Sequence, residues 1–560
     1  MQEKNLNSLK ITRTLLMLIF AMILNMASVI AQDVQWKKNF GGADSDEFNS
    51  VINILDGIIA VGSSGENSFD TGDWTGIHGK GGEDAIIVKF NNEGDVVWKK
   101  NFGGSSWDRY QSVTAIPDGI IAVGSSGENS FGTGDLADIT GKGSTDAIIV
   151  KYDNNGNVVW KKNFGGSSYD FFTSVISVTD GIIVVGSSHC NPNVQPYLCS
   201  FGNGDWTSVS GKGNTDAIII KYDYNGNVVW KRNFGGSDND SYSSVTATSD
   251  GIIAVGRSGY SSFGNGDWIG ITAKGSLYKE DAIIVKYDNS GNVVWKKNFG
   301  GISDDRYFSI TTDSDGIIAV GESSFASFDT GDWVGIPKKS GEHAAIIVKY
   351  KNNGEVLWKK NFGGNSGADT YYSVTTIPDG IIAAGYARNS SFGSGDWEGY
   401  TGNGNDEATI VKYDNNGNVV WKKNFGGISR DTYSSVTTVS DGIVAVGVST
   451  GGFGTGDWNG VTGKGSWDAI IVKYGKGTTS ITDMSEMPNL KIYPNPTNDK
   501  FIVDYDGVAS IKLYDMLGKE ILTQTANGKT EINISHLPKG VYSVNVFSDG
   551  KIIGNSKIVK

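Results

Sequence analysis

Six loops of the chain carry Gly-Asp-Trp, ending at Trp74, Trp206, Trp268, Trp333, Trp397 and Trp458. An indole beside a carboxylate can stack on a sugar ring and accept its hydroxyl hydrogen bonds. A second recurrent pair places an Asp two residues before an aromatic, at Asp46/Phe48, Asp108/Tyr110, Asp170/Phe172 and Asp240/Tyr242, and again from Asp305, Asp369 and Asp431. The six tryptophans, with Asp108, Asp170 and Asp240, are the candidate ligand-face residues. The competing reading is structural: each Asp satisfies donors of its own loop and each Trp packs between repeated units. Leu136, which takes the place of Trp in the second unit, suits packing.

Catalytic signals are poor. The four histidines, His78, His189, His343 and His536, never recur at equivalent positions and lack metal-ligand spacing. No phosphate loop or zinc motif occurs. Acid pairs for glycoside chemistry are assembled in space, so the sequence leaves them open. Calcium is the one cofactor that the Asp-rich turns invite. Asp153-Asn-Asn-Gly-Asn and its copies resemble part of a calcium loop but lack its later acidic ligands, so no cofactor is expected.

These residues are positioned by a repeat. Trp-Lys-(Lys/Arg)-Asn-Phe-Gly-Gly begins at Trp36, Trp98, Trp160, Trp230, Trp295, Trp358 and Trp421, at spacings of 62, 62, 70, 65, 63 and 63 residues. A period of this length marks copies of one supersecondary unit. Within residues 98–160, alternation up to Ile116 predicts a half-buried strand. After Pro117-Asp118-Gly119, the apolar Ile120–Val123 predicts a strand covered on both faces. A Gly-rich loop leads to a third strand at Asp146–Tyr152, and Asn155-Gly156 turns the chain into a fourth at Asn157–Phe164. The lysines of that strand are expected to protect an outer edge.

Seven such units describe an all-β, seven-bladed β-propeller of four-stranded blades over residues 32–475. The last unit stops at Tyr474 without a fourth strand, whereas Val34–Phe40 is a fourth strand without a unit. The N-terminal segment is therefore expected to complete blade seven. The long loops, and with them any binding, should lie on one face, opposite the Asp-Gly and Asn-Gly turns.

The motif set, Trp-x-x-x-Phe-Gly-Gly with an Asp-Gly hairpin and Asp-Ala-Ile-Ile-Val-Lys, resembles the bacterial SBBP propeller repeats over residues 34–475. That resemblance implies a fold and no chemistry. After a linker at 476–488, residues 489–560 read as a small β-sandwich. Its Tyr493-Pro494-Asn495-Pro496 start, central Tyr-Asp-Met-Leu-Gly-Lys, Leu-Pro-Lys-Gly540-Val-Tyr542 and basic end are similar to the type A sorting domain of the type IX secretion system. The resemblance implies a partner, the type IX secretion machinery, and export to the outer cell surface of a Gram-negative bacterium.

At the N-terminus, Lys4, Lys10 and Arg13 precede the apolar run Leu15–Leu24 and small residues, a secretory signal peptide over 1–31 with cleavage between Ala31 and Gln32. That run is about half of the roughly 20 residues needed to span a bilayer, so the mature chain should lack a transmembrane segment. Outside the cytoplasm disulfides persist, and Cys190 with Cys199, the two cysteines, are expected to staple the long third unit. The alternative, a metal site adding His189, lacks a fourth ligand. A net charge of −13 argues against nucleic acid. The sequence thus points to a secreted surface propeller acting as a binding or structural module toward a glycan or protein. A secreted polysaccharide-active enzyme with its site on the long-loop face is the alternative.

Overall fold

The computed structural model describes residues 33–191, 198–339, 341–475, 491–494, 496–497, 499–505, 507–514, 520–538, 540–548 and 551–560. The expected signal peptide, its Ala31/Gln32 cleavage site, the 476–488 linker and Asn495 lie outside them. Two compact units divide between Lys476 and Gly477.

The first unit begins with β1 (Val34–Phe40), β2 (Asp46–Ile54), β3 (Gly57–Gly65), β4 (Glu83–Phe90) and β5 (Val96–Phe102). β2 to β5 form one antiparallel sheet in sequence order, and the pattern recurs five times. In the seventh sheet Asp431–Val439, Gly442–Ser449 and Asp468–Gly475 are completed by β1, with Val34 opposite Tyr474 and Phe40 opposite Ala469. Adjacent sheets stack, and the seventh meets the first, where Phe40, Val51, Val444 and Ile471 share one apolar cluster. The fold is thus a seven-bladed, propeller-like array.

Chemistry explains the strand order. Ile58–Val61 and Ala85–Val88 have no polar side chain and are wholly buried, because each lies between two neighbouring sheets. The first strand of each blade is the innermost. Val175 N donates to Ser112 Oγ, Val436 N to Ser373 Oγ and, across the seventh-to-first seam, Val51 N to Ser435 Oγ. Fourth strands lie outermost and expose Val96 and Val97 with their counterparts.

Four residues of the signature have a defined structural role. Trp36 Nε1 donates to Asn92 O in the next blade's hairpin, and five further copies repeat the contact. Gly94, at φ +80°, must be glycine twice over, since a Cβ there would lie 2.9 Å from the Trp36 ring. The first lysine does not stand free on the edge as expected: Lys99 Nζ donates to the Asp73 carbonyl, stapling its own blade's long loop. Its side chain is long enough to cross the strand, and the backbone oxygen offers a fixed acceptor. The Asn101 amide donates to Asp84 Oδ2 at 2.6 Å, and Phe102 is buried.

In the third blade the second strand extends to Asn191 and pairs with Leu198–Cys199, which aligns Cys190 with Cys199 in a disulfide. The second unit has a three-stranded sheet (Lys491–Tyr493, Lys500–Asp504, Thr530–Asn533) and a four-stranded one (Val508–Tyr514, Glu520–Asn527, Val541–Ser548, Lys551–Val559). Phe501 and Val503 from one sheet and Ile511, Leu513 and Val546 from the other share a single core.

Candidate functional site

The structure places all nine candidate ligand-face residues inside the protein. Trp74, Trp206, Trp268, Trp333, Trp397 and Trp458 are each 0% exposed, as are Asp108, Asp170 and Asp240. Each Gly-Asp-Trp loop closes as a single 3-10 turn, and its ring packs edge-on to the Phe of the signature, as Trp268 does on Phe234 with centroids 4.9 Å apart. The indole donor is spent internally: Trp74 Nε1 reaches Asp46 Oδ1 at 3.1 Å and Ser64 Oγ at 3.0 Å. A sugar can reach neither ring face nor carboxylate, so these residues are scaffold.

The carboxylates are scaffold too. Asp240 Oδ2 accepts from Gly236 N at 2.9 Å and Ser262 Oγ at 2.7 Å, tying the Gly-Gly loop to the Trp loop. Burial is the dominant cause that pushes Asp108 and Asp240 up to about 6 and raises Asp170, against hydrogen bonds that pull the other way. A further acid in each loop links blades. Lys142 Nζ meets Asp205 Oδ2 at 2.6 Å and Lys212 meets Asp267 at 2.6 Å, and Lys464 meets Asp73 across the last seam. At the sixth-to-seventh seam Asn403 replaces the lysine, and its amide lies 3.4 Å from Asp457 Oδ2.

What differs between blades lies beside these fixed residues. Residues immediately before and after each scaffold Asp are at the inner strand's long-loop end, around the axial mouth. They read Ser45/Glu47, Trp107/Arg109, Tyr169/Phe171, Asn239/Ser241, Asp304/Arg306, Ala368/Thr370 and Arg430/Thr432. A parallel bridge to the preceding blade fixes most of them, including Glu83 with Trp107, Thr145 with Tyr169, Asp406 with Arg430 and, for Ser45, Trp467.

Two clusters result. From blade four to blade seven runs a polar chain: Arg257 and Arg306 both pair with Glu280, Arg306 also with Glu322 at 3.2 Å, and Glu322 accepts from Thr370 Oγ1 at 2.8 Å. Next to it Tyr372 packs tilted on Phe308 at 5.4 Å and stacks on Tyr386 at 5.8 Å, with Arg430 over Tyr386 and on Asp406. Burial, followed by neighbouring charges, raises both tyrosine hydroxyls. From blade seven to blade three the rim is aromatic, with Trp467 46% and Tyr169 45% exposed. Arg109 lies 6.0 Å over Trp107 and pairs with Glu83 at 2.7 Å, while His189 sits between Tyr169 and Phe171, its pKa lowered by burial. The sequence signal for these residues was available: they are the positions where seven aligned copies disagree.

Among the described residues no three His, Cys, Asp or Glu are grouped to hold a metal ion, and no helix is long and apolar enough to cross a membrane. Asp153 Oδ1 accepts from the backbone of Asn155 and Asn157, so these turn acids cap their own hairpins.

Seven four-stranded sheets in sequential contact define the class, an all-β propeller-like protein. Residues 491–560 match the family described as the secretion system C-terminal sorting domain, so the chain ends in a type IX secretion sorting module and is exported to the outer cell surface. The regulatory protein FlaEY of Caulobacter vibrioides is 29% identical over 118 residues, which cover 20% of this chain and 12% of that protein. The WD40 propeller of Doa1 covers 78% of this chain and 97% of its own at 12% identity and a TM-score of 0.37. The Neurospora crassa Pan2 WD40 domain covers 77% and 89% at 11% identity and a TM-score of 0.38.

Proposed function

We propose that the propeller is an extracellular binding module whose ligand, a glycan, seats on the aromatic side of the axial mouth. One observation carries the reading: three consecutive blade seams each present an aromatic, Trp467, Trp107 and Tyr169, held by an inter-blade bridge beside polar or charged groups. Aromatic faces spaced along a rim suit successive sugar rings, and Arg109, Glu83 and His189 supply hydroxyl partners. The charged chain of blades four to seven is internally paired and gives the mouth a rigid frame. Glycan-array binding by the mature protein tests the proposal. Trp107→Ala and Tyr169→Ala should each weaken binding at least about tenfold. An array without hits, or variants that bind unchanged, would remove the glycan reading, and release of reducing ends from a polysaccharide would replace binding by hydrolysis.

A further inference from the structure

Blade two departs from its six copies at several positions, and one of them, Asp138, lines a cleft. Where the others have Trp, Leu136 fills the core but offers no N–H. The buried Asp108 Oδ1 and Ser126 Oγ receive no indole hydrogen bond here. Downstream the chain also changes course. Ala137 is helical at φ −59° and ψ −28°, whereas Thr75 and Val334 at the same position are extended, at ψ 124° and 130°.

The next position is glycine at positive φ in five copies, as at Gly76 and Gly335, but here it is Asp138. Its carboxylate takes Lys161 Nζ at 2.7 Å, drawing that lysine off the loop carbonyl that Lys99, Lys231, Lys296, Lys359 and Lys422 hold. Across the seam, Phe172 stands where five blades have a tyrosine that bonds a second tyrosine. The fully buried Tyr222 hydroxyl is consequently left without a partner.

Asp138, Lys161 and Tyr222 line one cleft of about 490 Å³ between the outer strand of blade two and the hairpin of blade three, with Lys142, Lys162 and Asp205. Lys142 and Lys161 are neutralised by Asp205 and Asp138, while Lys162 closes no ion pair among the described residues and feels the Asp223 carboxylate of the hairpin only through space. The walls thus offer both donors and acceptors with a single ammonium in excess. Two carboxylates in the lining disfavour a dianion such as phosphate, whereas one carboxylate on a polyhydroxylated ring matches the set.

We propose that this cleft is a second binding site, separate from the mouth, for a small hydroxylated monocarboxylate with the chemistry of a uronic acid. Titration of the full mature chain with glucuronate, followed by calorimetry and ligand-observed NMR, tests it. Saturable binding is expected, with glucose and inorganic phosphate at least tenfold weaker. Lys162→Ala, at the cleft edge, should weaken glucuronate at least tenfold, with thermal melts showing that the variant folds. Trp107→Ala should leave this binding unchanged, which separates it from the mouth. Absence of saturable glucuronate binding, equal binding of phosphate, or full affinity in Lys162→Ala would each overturn the proposal.

Discussion

Trp268 Nε1 donates to Asp240 Oδ1 at 3.1 Å, with both side chains sealed from solvent. The pair recurs in every blade except the second, and it turns a sequence that looks like a ligand platform into a loop lock. Trp268→Ala should therefore cost about 3–5 kcal/mol, from the cavity and the orphaned carboxylate together. Urea denaturation of the propeller measures it, and a loss below about 1 kcal/mol would contradict a structural role.

The buried carboxylates set a direction for pH. Asp108, Asp240 and Asp305 are pushed up to about 6, and Asp369 and Glu407 to about 7, all chiefly by burial. In the unfolded chain each titrates near about 4. The folded state holds more protons between those values, so the stabilisation is complete below the unfolded pKa and is lost as pH rises through 6 to 7. Melting temperature should be higher near pH 5 than near pH 8. A curve that is flat or rises over that interval would refute the assignment.

Closure by β1 predicts an asymmetric truncation result. Removing residues 33–42 deletes the buried Phe40 and the strand paired with the outer edge of Asp468–Gly475. The melting temperature of the propeller should fall by roughly 10 °C or more. Removing 477–560 takes away a unit with its own core and should leave it within about 2 °C. Scanning calorimetry on both truncations reads the difference.

The lysine belt has its gap at Asn403. Asn403→Lys would bring an ammonium to Asp457, which lacks the partner its copies have, and should stabilise by about 0.5–1 kcal/mol in low salt. The gain should vanish near 1 M salt. A gain insensitive to salt would mean that packing, rather than the ion pair, is responsible.

The blade count, the strand order and the N-terminal completion of blade seven were legible because each repeats or visibly fails to repeat. Strand burial followed from Ile120–Val123 being apolar throughout. The side to which Trp206 or Trp268 turns was not legible. These residues sit in 3-10 turns inside irregular loops, where no period of 2 or 3.6 assigns a face. Lys99 misled for a related reason, since its partner is a backbone carbonyl and leaves no trace in residue types. Trp107, Tyr169 and Arg430 were hidden by emphasis on what recurs, since they stand where the seven copies differ.

The pairing of Val34 with Tyr474 also orders events in time. β1 is the earliest strand of its unit to be synthesised and its partner the latest, so nearly the whole unit must be made before the first strand finds its place. Until then the nascent chain is an open array with an unsatisfied edge at each end, held apart by the entropy of joining distant segments. Completion is thus deferred until synthesis of the unit is done.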